Sequence, residues 1–274
     1  MKIVTSVVNN VDFLDLQFRT LIKHMKVSFE FIVFNDAKDW IDYSNFGDSS
    51  IKKKIEFFCK NNNITCINIP NGANSRSNNH HKIRDASVRT AQSMNYILEF
   101  QKLNPDKYLI LDSDMFLISD FTQDDFLKYD SAIVLQERND CRYIWNGLCY
   151  FNTPKLDLKT MNWWGVQNNT QLTDTGGCMK DWLSKKIEAN DENGIFYIQY
   201  LSSLKWNQND TEITIPGLLD WLKSDTRNVD GNFFCELYCN KFLHFRGGGN
   251  WIKNNIHNKP DQKFILQLKN ILIG

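Results

Sequence analysis

The first hundred or so residues alternate short apolar runs with segments whose apolar residues recur at helical spacing. Residues 3–8 read as a strand, and the next segment carries Leu14, Phe18, Leu21, Ile22 and Met25 on one helical face. A second strand spans residues 29–35 and ends at Asp36. Asp48 is placed to cap a second helix with Ile51, Ile55 and Phe58 inward, leading to a strand at 64–69 that Pro70 closes. Residues 71–81 are polar, rich in Asn and Ser, and contain Gly72, so a loop is expected there, and its position suggests a lid. A longer helix follows, with Ile83, Ala86, Thr90, Met94, Ile97 and Leu98 on one face, then the turn Asn104-Pro105-Asp106 and a strand at 108–111. Three strand-helix-strand crossovers in a row predict parallel strands covered by helices on both faces, an α/β fold of Rossmann-like type.

The second half is less regular. Thr122-x-x-Asp125 resembles a capping box and predicts a short helix before a strand at 131–136. Residues 143–152 read as a strand interrupted by Asn146-Gly147, and a terminal helix is expected over 260–272. With 274 residues, 42% apolar content and no visible repeat, one large domain is expected. Lys plus Arg equals Asp plus Glu at 32 each, which offers no basic face for nucleic acid. The N-terminal apolar run suits a first strand better than a signal peptide, and no segment reaches membrane-spanning length, so a soluble cytoplasmic protein is expected. Seven scattered cysteines without a Cys-x-x-Cys pair fit buried free thiols in a reducing compartment.

Candidate chemistry concentrates at Asp112-Ser113-Asp114, directly after the apolar strand at 108–111. In open α/β sheets the ligand crevice lies outside the carboxyl ends of the strands. Two Asp side chains two residues apart on an extended chain point the same way and can share one hard divalent cation, which in turn can hold phosphates. A polar turn with an N-capping Asp is the plainer alternative. Near the other end, His244-Phe245-Arg246-Gly247-Gly248-Gly249-Asn250-Trp251 combines an imidazole with a glycine triplet able to bring backbone close to a phosphate. Its plainer alternatives are a core histidine and an ordinary turn.

The strand ladder ending in Leu111-Asp112-Ser113-Asp114, the Asn146-Gly147 strand and the late His244-x-x-Gly247 followed by Lys253 resemble the GT-A fold of nucleotide-sugar-dependent glycosyltransferases, most nearly the glycogenin and galactosyltransferase type. The resemblance implies a single GT-A domain over 1–274, with a nucleotide-sugar-binding half at 1–120 and an acceptor-binding half at 121–274. It implies Mn²⁺ or Mg²⁺ held by Asp112, Asp114 and His244, a nucleotide-sugar donor with a UDP-sugar favoured, and a carbohydrate or glycan acceptor. Lys253 would lie near the phosphates, although the tail departs from the family's Gly-x-x-Lys-Pro-Trp pattern.

Thr5, Asp36 and Ser113 join the candidate donor contacts, as do Arg84 and Arg89, whose alternative is a solvated helix charge. Asn146 and Gly147 would line the sugar pocket or form a β-bulge, and Gly248 would offer its backbone to the donor. Asp174, before Thr175-Gly176-Gly177, is the candidate acid facing the reacting sugar: a general base if the enzyme inverts, a positioning group if it retains. Trp145, Trp163, Trp164 and Trp251 could stack on sugars or fill core. Two rivals are a haloacid-dehalogenase-type phosphohydrolase, whose Asp-x-Asp normally opens the chain and continues into Gly-Thr, and a catalytically silent sugar- or nucleotide-binding protein of the same fold.

Overall fold

A computed structural model describes residues 1–70, 86–138, 141–168, 171–172, 174–188, 194–211, 213–248 and 262–274. The predicted ladder is present as β1 (Lys2–Val7), α1 (Val11–His24), β2 (Glu30–Asn35), α2 (Ile51–Asn61), β3 (Thr65–Asn68), α3 (Ala86–Leu103) and β4 (Lys107–Leu111). After it come β5 (Met115–Leu117), β6 (Ser131–Arg138), β7 (Cys141–Asn152), β8 (Gln167–Asn168), β9 (Gln171–Leu172) and α4 (Met179–Glu188). The chain continues with β10 (Ile195–Tyr197), β11 (Tyr200–Leu201), α5 (Leu218–Lys223), β12 (Glu236–Tyr238), β13 (Phe242–His244) and α6 (Gln262–Ile273).

Seven strands form the main sheet in the order β10-β6-β7-β4-β1-β2-β3. Four of its six pairings are parallel, and β7 runs antiparallel to both neighbours. Strand alternation sorts the apolar side chains into two cores. Ile3, Val7, Val33, Leu109 and Leu111 pack with Leu14 and Leu21 of α1 and with Ile51, Ile55 and Cys59 of α2. Val4, Ile32, Phe34, Tyr108 and Ile110 pack with Met94, Ile97 and Leu98 of α3 and with Met179, Trp182 and Leu183 of α4. Helices therefore cover both faces, and the central strands are largely apolar because most of their side chains do not meet water.

A second sheet, β11-β12-β13-β5, carries its own core with α5, α6 and the flank of α1 that bears Phe13 and Leu16. This double burial of α1 explains one departure from the pattern. Ile22 is 59% exposed, while Phe13 and Leu16, off the predicted stripe, are fully buried against the second sheet. Asn10 caps α1, its side-chain oxygen accepting from Phe13 N–H at 3.1 Å.

Three local expectations change. Helix α2 follows Ser50, and Asp48 accepts from the Ser50 N–H and from Lys54. Thr122 and Asp125 do bond, Thr122 N–H donating to Asp125 Oδ2 at 2.7 Å, but residues 122–130 form turns and no helix. Asp125 is drawn instead into a pair with Lys241 at 2.7 Å. Strand β7 is continuous through Asn146-Gly147, with a bulge: Ile133 faces Cys149 whereas Val134 faces Trp145. Ile83, and residues 71–81 with the expected lid, lie outside the described residues.

Gly176 shows how tightly the segment before α4 is fitted. Its φ is +97°, and an added Cβ would lie 2.0 Å from the Ile144 carbonyl oxygen. Gly231 has φ +78° with nothing within 4 Å of the same position. Gly176→Ala should therefore cost clearly more stability than Gly231→Ala, by about 2 kcal/mol or more. Denaturant midpoints of the two variants measure the difference, and equal costs would show that the loop yields freely.

Candidate metal and substrate site

At Leu111 the chain leaves the main sheet and, after a turn at 112–115, enters the second one as β5. The turn closes with Met115 N–H donating to Asp112 O at 3.1 Å. Gln17, fully buried on α1, braces it by donating Nε2 to Asp112 O at 2.7 Å and to Met115 O at 2.8 Å. Asp112 N–H donates to Gly147 O at 2.8 Å on the bulged strand. The triplet is thus not extended. Its carboxylates converge because the backbone turns between two sheets, not because alternate residues of one strand share a face.

Strand β13 pairs antiparallel with β5, placing His244 opposite Met115 and one residue from Asp114. Phe245 N–H donates to Asp114 O at 2.9 Å, His244 Nε2 lies 3.1 Å from Asp114 Oδ1, and Gly248 N–H donates to Asp114 Oδ2 at 2.8 Å. Ligand atoms of Asp112, Asp114 and His244 all fall within 4.8 Å of one another. Gly248 is needed for that approach, since a Cβ there would lie 2.0 Å from the Phe13 ring and 2.9 Å from Asp114 Cβ. Its amide is committed to Asp114, which corrects the expectation that it would face the donor.

A fourth group was not found from the sequence. Glu236 on β12 pairs across the hairpin with His244, and its Oε2 lies 2.8 Å from His244 Nδ1. A carboxylate inside the run Phe233-Phe234-Cys235-Glu236-Leu237-Tyr238 was the available signal, because a charge in a buried strand needs a partner. Burial and the adjacent Asp114 charge push Asp112 up to about 7. Burial would also raise Asp114 and Glu236, but the imidazole between them holds both below the usual carboxylate range. Burial alone would lower His244, yet the charge and hydrogen bonds of Asp114 and Glu236 raise it to about 10. Three carboxylates thus share one cationic ring. Two hard oxygen donors and an imidazole backed by a carboxylate form a donor set that fits a divalent cation such as Mn²⁺ or Mg²⁺.

The cluster of Asp112, Asp114 and His244 opens into a cleft of about 310 Å³. Asp36, Arg89, Ser113, Asn146 and Asp174 line it, as expected, joined by Ser6, Asn9, Gln136 and Arg246. Thr5 does not: it is fully buried, paired between Val33 and Leu111, and the strand reaches the cleft one residue later. Gly147 also stays off the cleft wall. Its Cα lies against the Trp145 ring, which an added Cβ would approach to 2.1 Å, while the bulge turns Asn146 inward. Arg89 is no solvated helix charge. It is 1% exposed, donates Nε to Asp36 Oδ2 at 2.9 Å and Nη1 to Ser44 Oγ at 3.0 Å, and Ser93 Oγ joins the same Asp36 oxygen at 2.9 Å.

Asp174 accepts from Ser87 Oγ on α3 and from Thr175 N–H at 2.8 Å, while Thr175 Oγ1 donates to Ser87 O at 2.9 Å. Trp145 stacks on Tyr238, with centroids 5.2 Å apart, and also lines the cleft, whereas Trp163 is buried among Phe151 and its neighbours and fills core; Trp164 is 38% exposed. Arg84, Trp251 and Lys253 lie outside the described residues.

No family model matches the chain, and no curated protein matches it. Among solved structures, it is similar to the galactosyltransferase LgtC in complex with donor and acceptor sugar analogs, at 14% identity over 76% of this chain and 75% of that one, with a TM-score of 0.38. An active-site mutant of LgtC gives 14% identity over 79% and 81%, with a TM-score of 0.39. The apo bifunctional glycosyltransferase WbbM gives 13% over 56% of this chain and 31% of that one, with a TM-score of 0.35. At such identities a residue in a matching place is not thereby a residue with a matching role. Among the described residues no helix is long and apolar enough to cross a membrane, and Cys59, Cys66, Cys149, Cys178, Cys235 and Cys239 are free thiols.

The charge imbalance fixes a pH dependence for the metal-free protein. Asp112 binds its proton more tightly when folded, so folding loses stability as the pH rises from the ordinary 3.8 through about 7. The raised His244 contributes stability that is complete below 6.5 and lost as the pH passes about 10. Asp114 and Glu236, held low, act in the opposite direction but only in acid. In chelator, the melting temperature should therefore fall between about pH 5 and pH 8, and Asp112→Asn should flatten that fall and raise the melting temperature at the upper end. A melting curve insensitive to pH in this window, or a destabilised Asp112→Asn, would contradict the arrangement.

Proposed function

We propose that this chain is a metal-dependent glycosyltransferase that moves a sugar from a nucleoside-diphosphate donor to an acceptor hydroxyl. The observation that carries the reading is the meeting of Asp112, Asp114 and His244, from distant parts of the chain, at the carboxyl end of a buried parallel strand and at the head of a polar cleft. Those three side chains would hold Mn²⁺ or Mg²⁺. When bound, the ion would neutralise the negative charge that builds on the departing diphosphate.

The remaining roles belong to the chain itself. Asp36, kept in place by Arg89, sits at the end of β2, where an α/β sheet meets the base and ribose of a nucleotide. Ser113 and Asn146 flank the carboxylates and would orient the sugar. Asp174 faces the cleft with its carboxylate tied to Ser87 and Thr175, a restraint that suits holding a sugar hydroxyl in a retaining enzyme and serves equally to aim a general base in an inverting one. Residues 1–120 would form most of the donor side and 121–274 the acceptor side, with His244 and Glu236 reaching back from the second half. A UDP-sugar as donor, a glycan as acceptor, and contacts from Arg84 and Lys253 rest on the family resemblance.

Donor hydrolysis without acceptor, measured across a panel of nucleotide sugars with Mn²⁺ and with chelator, tests the reading. Asp112→Ala and Asp114→Ala should each lower kcat/KM by about a hundredfold or more while the circular dichroism of the folded protein is retained. Full turnover in excess chelator would reject it. Release of inorganic phosphate from simple phosphomonoesters would identify a phosphohydrolase instead, and donor binding without turnover a silent binding protein.

A further inference from the structure

His244 touches a carboxylate at each ring nitrogen, and only one of these belongs to the candidate ligand set. The other, Glu236, is 7% exposed and sits between Cys235 and Leu237, both buried and apolar. A carboxylate is costly in such a place unless it is paired, and packing gives no reason for one there. Its surroundings are specific. Oε2 accepts from Tyr238 O–H at 2.8 Å and lies 2.8 Å from His244 Nδ1; Oε1 accepts from Ser203 N–H at 3.4 Å and lies 4.0 Å from Arg246 Nε.

The hairpin register makes the meeting obligatory. Glu236 and His244 are direct cross-strand partners, so their side chains leave the sheet on the same face, and Tyr238, two residues on, shares it. The Tyr238 ring is stacked between Trp145 (5.2 Å, 12°) and Tyr200 (5.0 Å, 9°), which fixes where its hydroxyl points. Backbone register and aromatic stack together hold the carboxylate, and the carboxylate holds the imidazole.

We propose that Glu236, oriented by Tyr238, is a positioning residue for the metal site: it keeps the hydrogen of His244 on Nδ1, fixes the ring plane and leaves Nε2, the nitrogen beside Asp114, as the donor to the cation. This rests on the reading that Asp112, Asp114 and His244 hold a divalent ion. A histidine ligand restrained in this way is also the more basic donor.

Mn²⁺ affinity, measured by electron paramagnetic resonance titration without any sugar nucleotide, tests the assignment. Glu236→Gln keeps an oxygen able to accept from Nδ1–H but removes the charge, and should weaken Mn²⁺ binding about tenfold; Glu236→Ala should weaken it by up to about a hundredfold. Tyr238→Phe should fall between the native protein and Glu236→Ala. The deciding comparison is made in the His244→Ala background. There Glu236→Gln should have no further effect on Mn²⁺ affinity, because the residue through which it acts is gone. An undiminished effect of Glu236→Gln in that background would make Glu236 a brace of the hairpin or a direct charge effect and overturn the proposal. Normal Mn²⁺ affinity in Glu236→Gln and Tyr238→Phe would do the same. If the native protein binds no Mn²⁺, the metal reading itself fails, and this proposal with it. Glu236→Gln is nearly isosteric and Tyr238→Phe keeps the stacked ring, so the test survives an unstable Glu236→Ala.

Discussion

Crowding three carboxylates around one imidazole is the constraint on which the rest of the structure turns. Asp112, Asp114 and Glu236 all lie near His244, so even a protonated ring leaves an excess of negative charge in a poorly hydrated place. The fold manages it with fixed dipoles. Gly248 N–H and Ser113 N–H each take a carboxylate oxygen, Tyr238 O–H takes a third, and Asp112 retains a proton far above the usual carboxylate range. Such an arrangement is poor as a stability device, and its donor atoms are placed as a cation site would need them. A carboxylate such as Asp112, pushed up to about 7, marks function more than architecture.

The location of the Asp112, Asp114 and His244 cluster follows from a change of sheet. Strand β4 belongs to the seven-stranded sheet and β5 to the four-stranded one, so the backbone between them must turn where two layers meet. Gln17 braces the turn by donating to the Asp112 and Met115 carbonyls. Opposite it, the bulge in β7 supplies Gly147 O to the Asp112 amide, and the space left by the missing Gly147 side chain accepts Trp145. Trp145 stacks on Tyr238 and packs at a tilt on His244, 5.2 Å away. One glycine thus links the anchoring of Asp112 to the packing around His244.

Period and composition carry far in this chain, and their reach has a physical limit. The strand and helix ladder up to Asp112 was legible because buried parallel strands are uniformly apolar and their helices amphipathic, and the Asp triplet stood out against that background. His244 was legible because an imidazole beside a glycine run is unusual. Gln17 was not, since a polar residue on a helix looks solvated until its partners, about a hundred residues away, are known. Neither was Glu236, whose role exists only through hairpin register. Thr5 and Gly248 were misread for a related reason: sequence gives a residue's neighbourhood, while the choice between cleft wall and support behind it is a matter of a single step along a strand or loop. The Thr122-x-x-Asp125 signal forms its hydrogen bond and still opens no helix, while the same Asp125 oxygen also accepts from Lys241.

The sign of the cleft bears on how a diphosphate could enter it. Among the described residues, five acidic side chains line it, Asp36, Asp112, Asp114, Asp174 and Glu236, against the basic Arg89, His244 and Arg246. Arg89 is already bound to Asp36, and Arg246 leans toward Glu236 while donating Nη1 to Ser203 at 2.6 Å. Among the described residues the charge left over is negative. A donor carrying two negative phosphates would meet repulsion at the point where it must bind, in a setting where low dielectric magnifies the effect. On the proposed function, the donor must therefore arrive with its cation or find the cation already held, and affinity for either should rise with the other, as linkage requires. On that reading the protein would supply donor atoms and orientation, and the compensating charge would be brought in with the substrate.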